Sequence, residues 1–191
     1  EAEFLTRYRF KEFMYLEWNS ERVPNKISRP TFPELYIHPK LIRGRTTDAV
    51  YDLDKIICSE ECNVIVPYHQ LKGVENRSIK SGITKWGGIQ DREILEKNSA
   101  KIDLKFILCI MNSKFSKFYL NPMRKHSTEF YFYPNDLKNL PIMMINLEKQ
   151  KPFVEKTQKR IELARDYGET LESFSRHLKR NYPLKDFVKK F

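Results

Sequence analysis

The chain has 191 residues, 40% of them apolar and 13% aromatic, so it carries enough hydrophobic side chains to fold around its own core. Its 35 basic residues outnumber 25 acidic ones, and the net charge of +10 favours a phosphate-rich partner or an anionic membrane face. The longest apolar run, residues 106–111, is far shorter than the about 18 residues of a membrane span, and no signal segment opens the chain. Three cysteines indicate a reducing compartment rather than a disulfide framework. We therefore expect a cytoplasmic, polyanion-binding segment of a longer protein, with no membrane partner.

Short runs rich in β-branched residues make the first part of the chain its clearest strand region. The pattern predicts four strands, at 40–43, 49–52, 55–58 and 63–66. A segment bounded by prolines, residues 34–38, suits an edge position before them. Residues 1–30 are typical of a short helix or strand followed by a loop. The glycines of residues 68–88 predict a long exposed loop.

Apolar residues at helical spacing predict one helix over residues 103–121, with Asp103 as its N-cap and Pro122 at its end. We expect the apolar face of this helix in the core, led by Leu108, Met111 and Phe115. Beyond it the sequence predicts an aromatic strand, a turn or short helix, and extended chain, at 130–133, 134–137 and 140–142.

A heptad pattern predicts a helical arm at the end of the chain. Apolar residues recur in steps of three and four, at Ala164, Tyr167, Leu171, Phe174 and Leu178. Because Gly168 interrupts this short seam, we expect a helix of two to four turns or more that docks on its own domain or on a neighbour. The chain is accordingly divided into one domain, residues 1–148, and a helical arm, residues 149–191.

Basic residues concentrate in three places that suit contacts to phosphate. Between Asp103 and Glu129 there are five and no acid, residues 68–90 hold four against one acid, and residues 149–191 hold twelve against six. Such clusters gain affinity by releasing counterions from DNA, and a solvated surface is the alternative for any one of them. The candidate contacts in the first two are Lys72, Arg77, Lys80, Lys85, Lys114, Lys117, Arg124, Lys125 and His126.

Planar or bidentate side chains are the better candidates for reading bases. Arg43 and Arg45 end a predicted strand, while Trp86 and Arg92 lie in or beside the glycine-rich loop. We predict that these four read the sequence. Lysines carry point charges on flexible stems and are expected on phosphates, namely Lys80, Lys85, Lys114 and Lys125. The alternatives are solvated arginines at a turn and a tryptophan that pins its loop to the core.

No group of residues indicates catalysis. Cys58 and Cys62, with His38 and His69 nearby in sequence, match no standard zinc spacing and suit buried cysteines better. The acids that follow residue 90 lack the Glu-x-Lys of a metal-dependent nuclease. Neither a phosphate-binding glycine loop nor a nucleophile elbow occurs. We expect no catalytic, cofactor or metal site in this chain.

Two stretches of the sequence together resemble one family. Residues 28–43, SRPTFPELYIHPKLIR, are similar to the opening segment of the TaqI-like C-terminal specificity domain. Residues 106–115, FILCIMNSKF, resemble the Leu-Leu-Asn-Ser-Lys helix of that family. As in the family, an aromatic strand, the run Leu137-x-x-Leu140-Pro141-Ile142 and a long helix opened by Gln150-Lys151-Pro152-Phe153 follow. The resemblance covers residues 28–165.

The resemblance implies a target recognition domain of a type IIG restriction–modification enzyme or a related adenine-N6 DNA methyltransferase. It implies an α/β fold with a twisted mixed sheet, packed helices and a C-terminal helical arm, as in type I S subunits. The methyltransferase domain, with S-adenosylmethionine, and the Mg²⁺ used for cleavage would belong to other parts of the parent chain, because no Asn-Pro-Pro-Tyr motif occurs here. The implied partner is duplex DNA. A protein–protein assembly module is the main alternative, and a stand-alone nuclease domain is a weaker one.

Overall fold

The computed structural model describes residues 5–6, 9–10, 38–44, 48–54, 56, 62–75, 79–80, 91–123 and 132–181. Its first two strands, β1 (Leu5–Thr6) and β2 (Arg9–Phe10), form a short antiparallel hairpin. This hairpin lies close to the strand Ala49–Asp52 and to the long C-terminal helix.

A three-stranded antiparallel sheet forms the centre of the molecule. It contains β3 (Lys40–Arg43), β4 (Ala49–Asp52) and β5 (Asn63–Ile65), with β3 in the middle. The predicted strands at 40–43 and 49–52 are confirmed, and the one at 63–66 ends one residue early. Every pairing among the described strands is antiparallel, so the expected mixed sheet is not found there. Short connections favour this arrangement, because parallel neighbours require a long crossover.

Helices make up most of the remaining described chain. They are α1 (Arg92–Ser99), α2 (Leu104–Met111), α3 (Lys114–Leu120), α4 (Pro134–Leu137) and α5 (Leu147–Asn181), with 3₁₀ turns at Tyr68–Leu71 and Asn121–Met123. Within the described ranges, no helix is both long enough and apolar enough to cross a bilayer. The fold is therefore a mixed α/β structure.

The helix predicted over residues 103–121 is two helices, which corrects the sequence-based expectation. Asp103 caps α2 as predicted, because its Oδ1 accepts a hydrogen bond from Lys105 N at 2.7 Å. The chain leaves the helix at Asn112, and Ser113 then caps α3 by accepting from Ser116 N at 3.2 Å. The break rotates the faces of the second helix. Phe115 is 49% exposed, so its predicted place in the core is wrong.

Two apolar clusters hold the elements together. Leu41, Ala49, Leu104, Leu108, Met111 and Ile161 join the sheet to α2 and to the first half of α5. A smaller cluster joins Leu120 of α3 to Phe132 and Leu140. An edge-to-face ring pair between Phe106 and Phe153, with centroids 5.6 Å apart, adds a second contact between α2 and α5.

Three further sequence-based expectations can be compared with the structure. The segment after Pro67 is not simply an exposed loop, because it begins with a 3₁₀ turn whose Leu71 is 4% exposed. The helical arm is one continuous helix of 35 residues that runs through Gly168 without interruption. The predicted short helix is α4, and residues 141–146 have no regular secondary structure.

The remaining predictions fall on residues that are not described. The predicted strand at 55–58 lies outside the described residues except for Ile56, and the one at 130–133 is described only at its last two positions. The edge segment at 34–38 lies outside them except for His38.

Candidate nucleic-acid interface

Two polar residues of the stretches that resemble a known family, Asn112 and Gln150, are buried and connect elements of the fold. Asn112 accepts a hydrogen bond from Ala49 N at 2.8 Å and donates one to Ala49 O at 2.9 Å, so its amide extends the edge of β4. Gln150 accepts from Asp103 N at 2.9 Å and donates to the carbonyls of Lys101 and Ile145 at 2.8 and 2.7 Å. These motifs therefore position the sheet and helices.

A buried ion pair lies at the other end of the β3–β4 pairing, away from Ala49. Lys40 and Asp52 are register partners on β3 and β4, and Lys40 Nζ lies 2.6 Å from Asp52 Oδ2 with both side chains fully buried. Asp52 also accepts from Asp54 N at 2.8 Å and Ile56 N at 3.1 Å. The carboxylate therefore fixes the turn after β4 as well as the central strand.

Two of the predicted base readers are engaged within the fold. Arg43 is completely buried and donates from Nε to Gly44 O at 3.0 Å and from Nη2 to Phe132 O. Arg92 donates from Nε to Glu96 Oε1 at 2.8 Å and from Nη2 to Leu71 O, which ties α1 to the 3₁₀ turn. Reading a base would require either guanidinium to leave these partners.

The described lysines among the predicted contacts lie on the surface. Lys72 and Lys114 are exposed. Lys80 lies 3.1 Å from Glu75, and its hydrogen bond and charge hold the pKa of that carboxyl below its usual value. Lys117 lies 3.4 Å from Asp48. The other predicted contacts lie outside the described residues, namely Arg45, Arg77, Lys85, Trp86, Arg124, Lys125 and His126.

The structure adds a basic face on the first half of α5. It consists of Lys149, Lys156, Lys159 and Arg160, all exposed. Their spacings of three, four and seven residues place them on one side of the helix. Glu155 precedes Lys159 by four residues and Glu148 lies about 20° from Lys159 around the helix axis, so these two acids border the basic face along one edge. The basic face therefore presents four cations, with acids along the edge at Lys159 and none between Lys149, Lys156 and Arg160.

Beyond Arg160, the same side of α5 is apolar instead of basic. Leu163, Tyr167, Leu171, Phe174 and Leu178 continue the line of the basic face, and we refer to them as the apolar stripe. Tyr167 is 66% exposed and Phe174 is 57% exposed, so the heptad seam does not dock on the described part of its own domain. The helix instead packs through a different side, with Gln150, Thr157, Ile161 and Gly168 buried.

The basic face is a set of residues that sequence reasoning missed. The excess of basic residues after position 148 is visible in the sequence, but only a helix that is continuous from Leu147 aligns these four. In the sequence, the apolar seam further along dominates the pattern and obscures this periodicity of basic residues. A scan for charged residues at helical spacing would have found it.

Metal chemistry has no site in the part of the chain that is described. No group of three or more histidine, cysteine or acidic side chains lies close enough there to hold a metal ion. Cys62 and Cys109 are free thiols.

No known protein family, curated protein or solved structure matches this chain.

Proposed function

We propose that this chain is a duplex-DNA recognition domain of the TaqI-like specificity kind, related to the target recognition domains of type I S subunits. It would act in the cytoplasm and position DNA for a methyltransferase domain elsewhere in the parent protein, where S-adenosylmethionine and Mg²⁺ would be held. The observation that carries the proposal is the basic face of α5, on a chain of net charge +10.

The dimensions of the basic face fit the charge density of a duplex. From Lys149 to Arg160 the helix advances about 16 Å, at about 1.5 Å per residue. Duplex DNA carries one negative charge per about 1.7 Å of its axis, so a stretch of that length presents about ten phosphate charges. Four cations on one side of α5 can displace counterions from DNA together. Because the anchored helix already holds their backbone in place, binding does not have to order the backbone at each residue. Affinity from this face would be independent of the DNA sequence.

Sequence reading is assigned to residues outside the basic face. Arg45 and Trp86 have the planar heads that base edges and base faces accept, and neither is placed by the described fold. Lys72, Lys80 and Lys114 are exposed and suit phosphate contacts. In this proposal Arg45 and Trp86 discriminate between DNA sequences, and the basic face supplies affinity that is independent of sequence.

The proposal is tested by the salt dependence of DNA binding. With four to eight phosphates neutralised, log K against log salt is expected to have a slope of about −4 to −7 on duplex DNA. Fluorescence anisotropy with a labelled duplex, titrated at several salt concentrations, measures the slope. Absence of binding at low salt, or a slope near zero, contradicts the proposal.

A second function, docking of another protein in an assembly, is favoured by the exposed apolar stripe. Large exposed apolar surfaces commonly mark interaction sites. A docking module without a DNA role would show no affinity for duplex DNA at any salt concentration. The same titration therefore separates the two functions.

A further inference from the structure

The short helix α3 exposes three aromatic rings on the side away from the core. Phe118 is 79% exposed, Phe115 49% and Tyr119 36%. Ser116 and Leu120 are buried on the other side and, at about 100° per residue, Phe118 lies opposite the midpoint between them. The rings of Phe115 and Tyr119 form a pair, with centroids 5.9 Å apart and planes inclined by 31°. The three rings make one exposed surface, which we call the aromatic face.

Lysines border the aromatic face, and the surrounding sequence carries no acid. Lys114 precedes Phe118 by four residues, which places the two side chains one above the other on the same side of the helix. Lys114 is exposed, whereas Lys117 lies 3.4 Å from Asp48, so Lys114 is the better candidate for an anion. Residues 104–128 contain five basic side chains and no acidic one, a net charge of +5 with histidine neutral. A negatively charged partner therefore complements α3 and the sequence around it.

We propose that the aromatic face binds unpaired bases of single-stranded nucleic acid, with Lys114 on an adjacent phosphate. Every base has a flat face that stacks on an aromatic side chain, so this binding does not depend on the sequence. In a duplex both faces of a base are covered by its neighbours, and only an unpaired base offers a face to the rings. The Cβ atoms of Lys114 and Phe118 are about 5–6 Å apart at this spacing, so the ammonium can reach the phosphate beside a base stacked on Phe118.

The combination of rings and lysine favours nucleic acid over a protein partner. Protein interfaces are enriched in aromatic residues but depleted of lysine. Surfaces that bind single strands combine cations that follow the backbone with aromatic rings that hold the bases. The basic face of α5 has no ring among its four residues and suits the backbone of a duplex. Single-strand binding at α3 is therefore independent of the duplex recognition proposed above, because the two use different surfaces.

Fluorescence anisotropy of the full chain tests the proposal with labelled single strands of about 12 nucleotides, one of DNA and one of RNA with the same sequence. We expect the parent chain to bind at least one of them, and Phe118→Ala to bind that strand about five-fold or more weakly, because one stacking ring is lost. The matched control is Phe174→Ala, which removes a 57% exposed ring from α5 and should bind like the parent chain. Failure of the parent chain to bind either strand, or equal affinities of the parent and Phe118→Ala chains, overturns the proposal. Equal losses in the two variants also overturn it.

An abasic strand separates stacking from charge. It keeps the phosphates of the normal strand but has no bases, and the parent chain is expected to bind it about five-fold or more weakly. Equal binding of the abasic and normal strands would show a phosphate contact alone and contradict the proposal. A duplex is expected to bind the parent and Phe118→Ala chains equally. Loss of duplex recognition and loss of single-strand binding are therefore distinguished in the same set of titrations.

Discussion

Polar side chains inside this protein and polar side chains on its surface have different roles. Asn112 and Gln150 are buried, and their side chains join separate parts of the fold: Asn112 bonds to Ala49 of β4, and Gln150 bonds to Lys101 and Asp103 just before α2. Lys149 and Lys156 are exposed on one side of α5 and point to solvent. Asn112 and Gln150 lie in stretches that resemble a known family, whereas the candidate function is assigned to surface residues outside those stretches.

The largest expected effect is the removal of one partner from the buried ion pair. Lys40→Met leaves Asp52 charged in the interior and is expected to lower the free energy of unfolding by about 3–5 kcal/mol. Urea denaturation followed by circular dichroism measures it. The control is Lys72→Met, which removes a lysine from the surface and is expected to change stability by no more than about 0.5 kcal/mol. Equal losses in the two variants would contradict the distinction between interior and surface.

The break between α2 and α3 predicts unequal costs for two apolar truncations. Leu108 is fully buried, so Leu108→Ala is expected to cost about 2–5 kcal/mol of stability. Phe115 is half-exposed, so Phe115→Ala is expected to cost less than about 1 kcal/mol. Thermal unfolding of both variants compares them. A greater loss from Phe115→Ala would restore the single-helix interpretation.

The hydrogen bonds of Gln150 are expected to have an intermediate effect. Gln150→Ala leaves part-buried backbone groups of Lys101, Asp103 and Ile145 without this partner, which is expected to cost about 1–3 kcal/mol. Gln158 lies two turns further along α5, and its Nε2 donates to the exposed Glu162 Oε1 at 2.6 Å, so Gln158→Ala serves as the matched control. Chemical denaturation of both should show a loss for the first variant alone. Equal values would mean that Gln150 does not anchor the helix.

The smallest effect is a pH dependence at Tyr51. Burial first, and the charge of Asp103 second, raise the pKa of the Tyr51 hydroxyl above 10.0. The unfolded chain therefore ionises before the folded one, and this contribution to stability is complete below pH 10 and is lost as pH rises through the folded pKa. As the pH rises above 10, the Tyr51→Phe chain should lose less stability than the parent chain. Parallel stability curves for the two would show that Tyr51 is not shielded.

How much could be predicted from the sequence differs between local and long-range features. Strands 40–43 and 49–52 and the Asp103 cap follow from local pattern and chemistry, and they are present. The break at Asn112 could not be predicted, because it depends on a hydrogen-bonding partner 63 residues away, Ala49. The burial of Arg43 depends likewise on the carbonyl of Phe132, which is 89 residues away in the chain.

The candidate site was less predictable than the fold. Lys114 and Lys80 are on the surface as expected, but a surface position follows from charge alone. The basic face requires knowledge that α5 is continuous and that its buried side passes through Thr157 and Ile161. The apolar seam was recognised from its spacing, whereas its exposure depends on where the rest of the domain lies.

The most direct test of the central claim compares two sides of the same helix. Lys156→Gln/Arg160→Gln removes two charges from the basic face, and Lys151→Gln/Arg165→Gln removes two exposed charges from the opposite side of α5. Fluorescence anisotropy with one duplex at several salt concentrations should show the first variant weakened, with its salt slope flatter by about two units, and the second close to the parent chain. Equal weakening of both variants, or of neither, would contradict a DNA-binding role for the basic face.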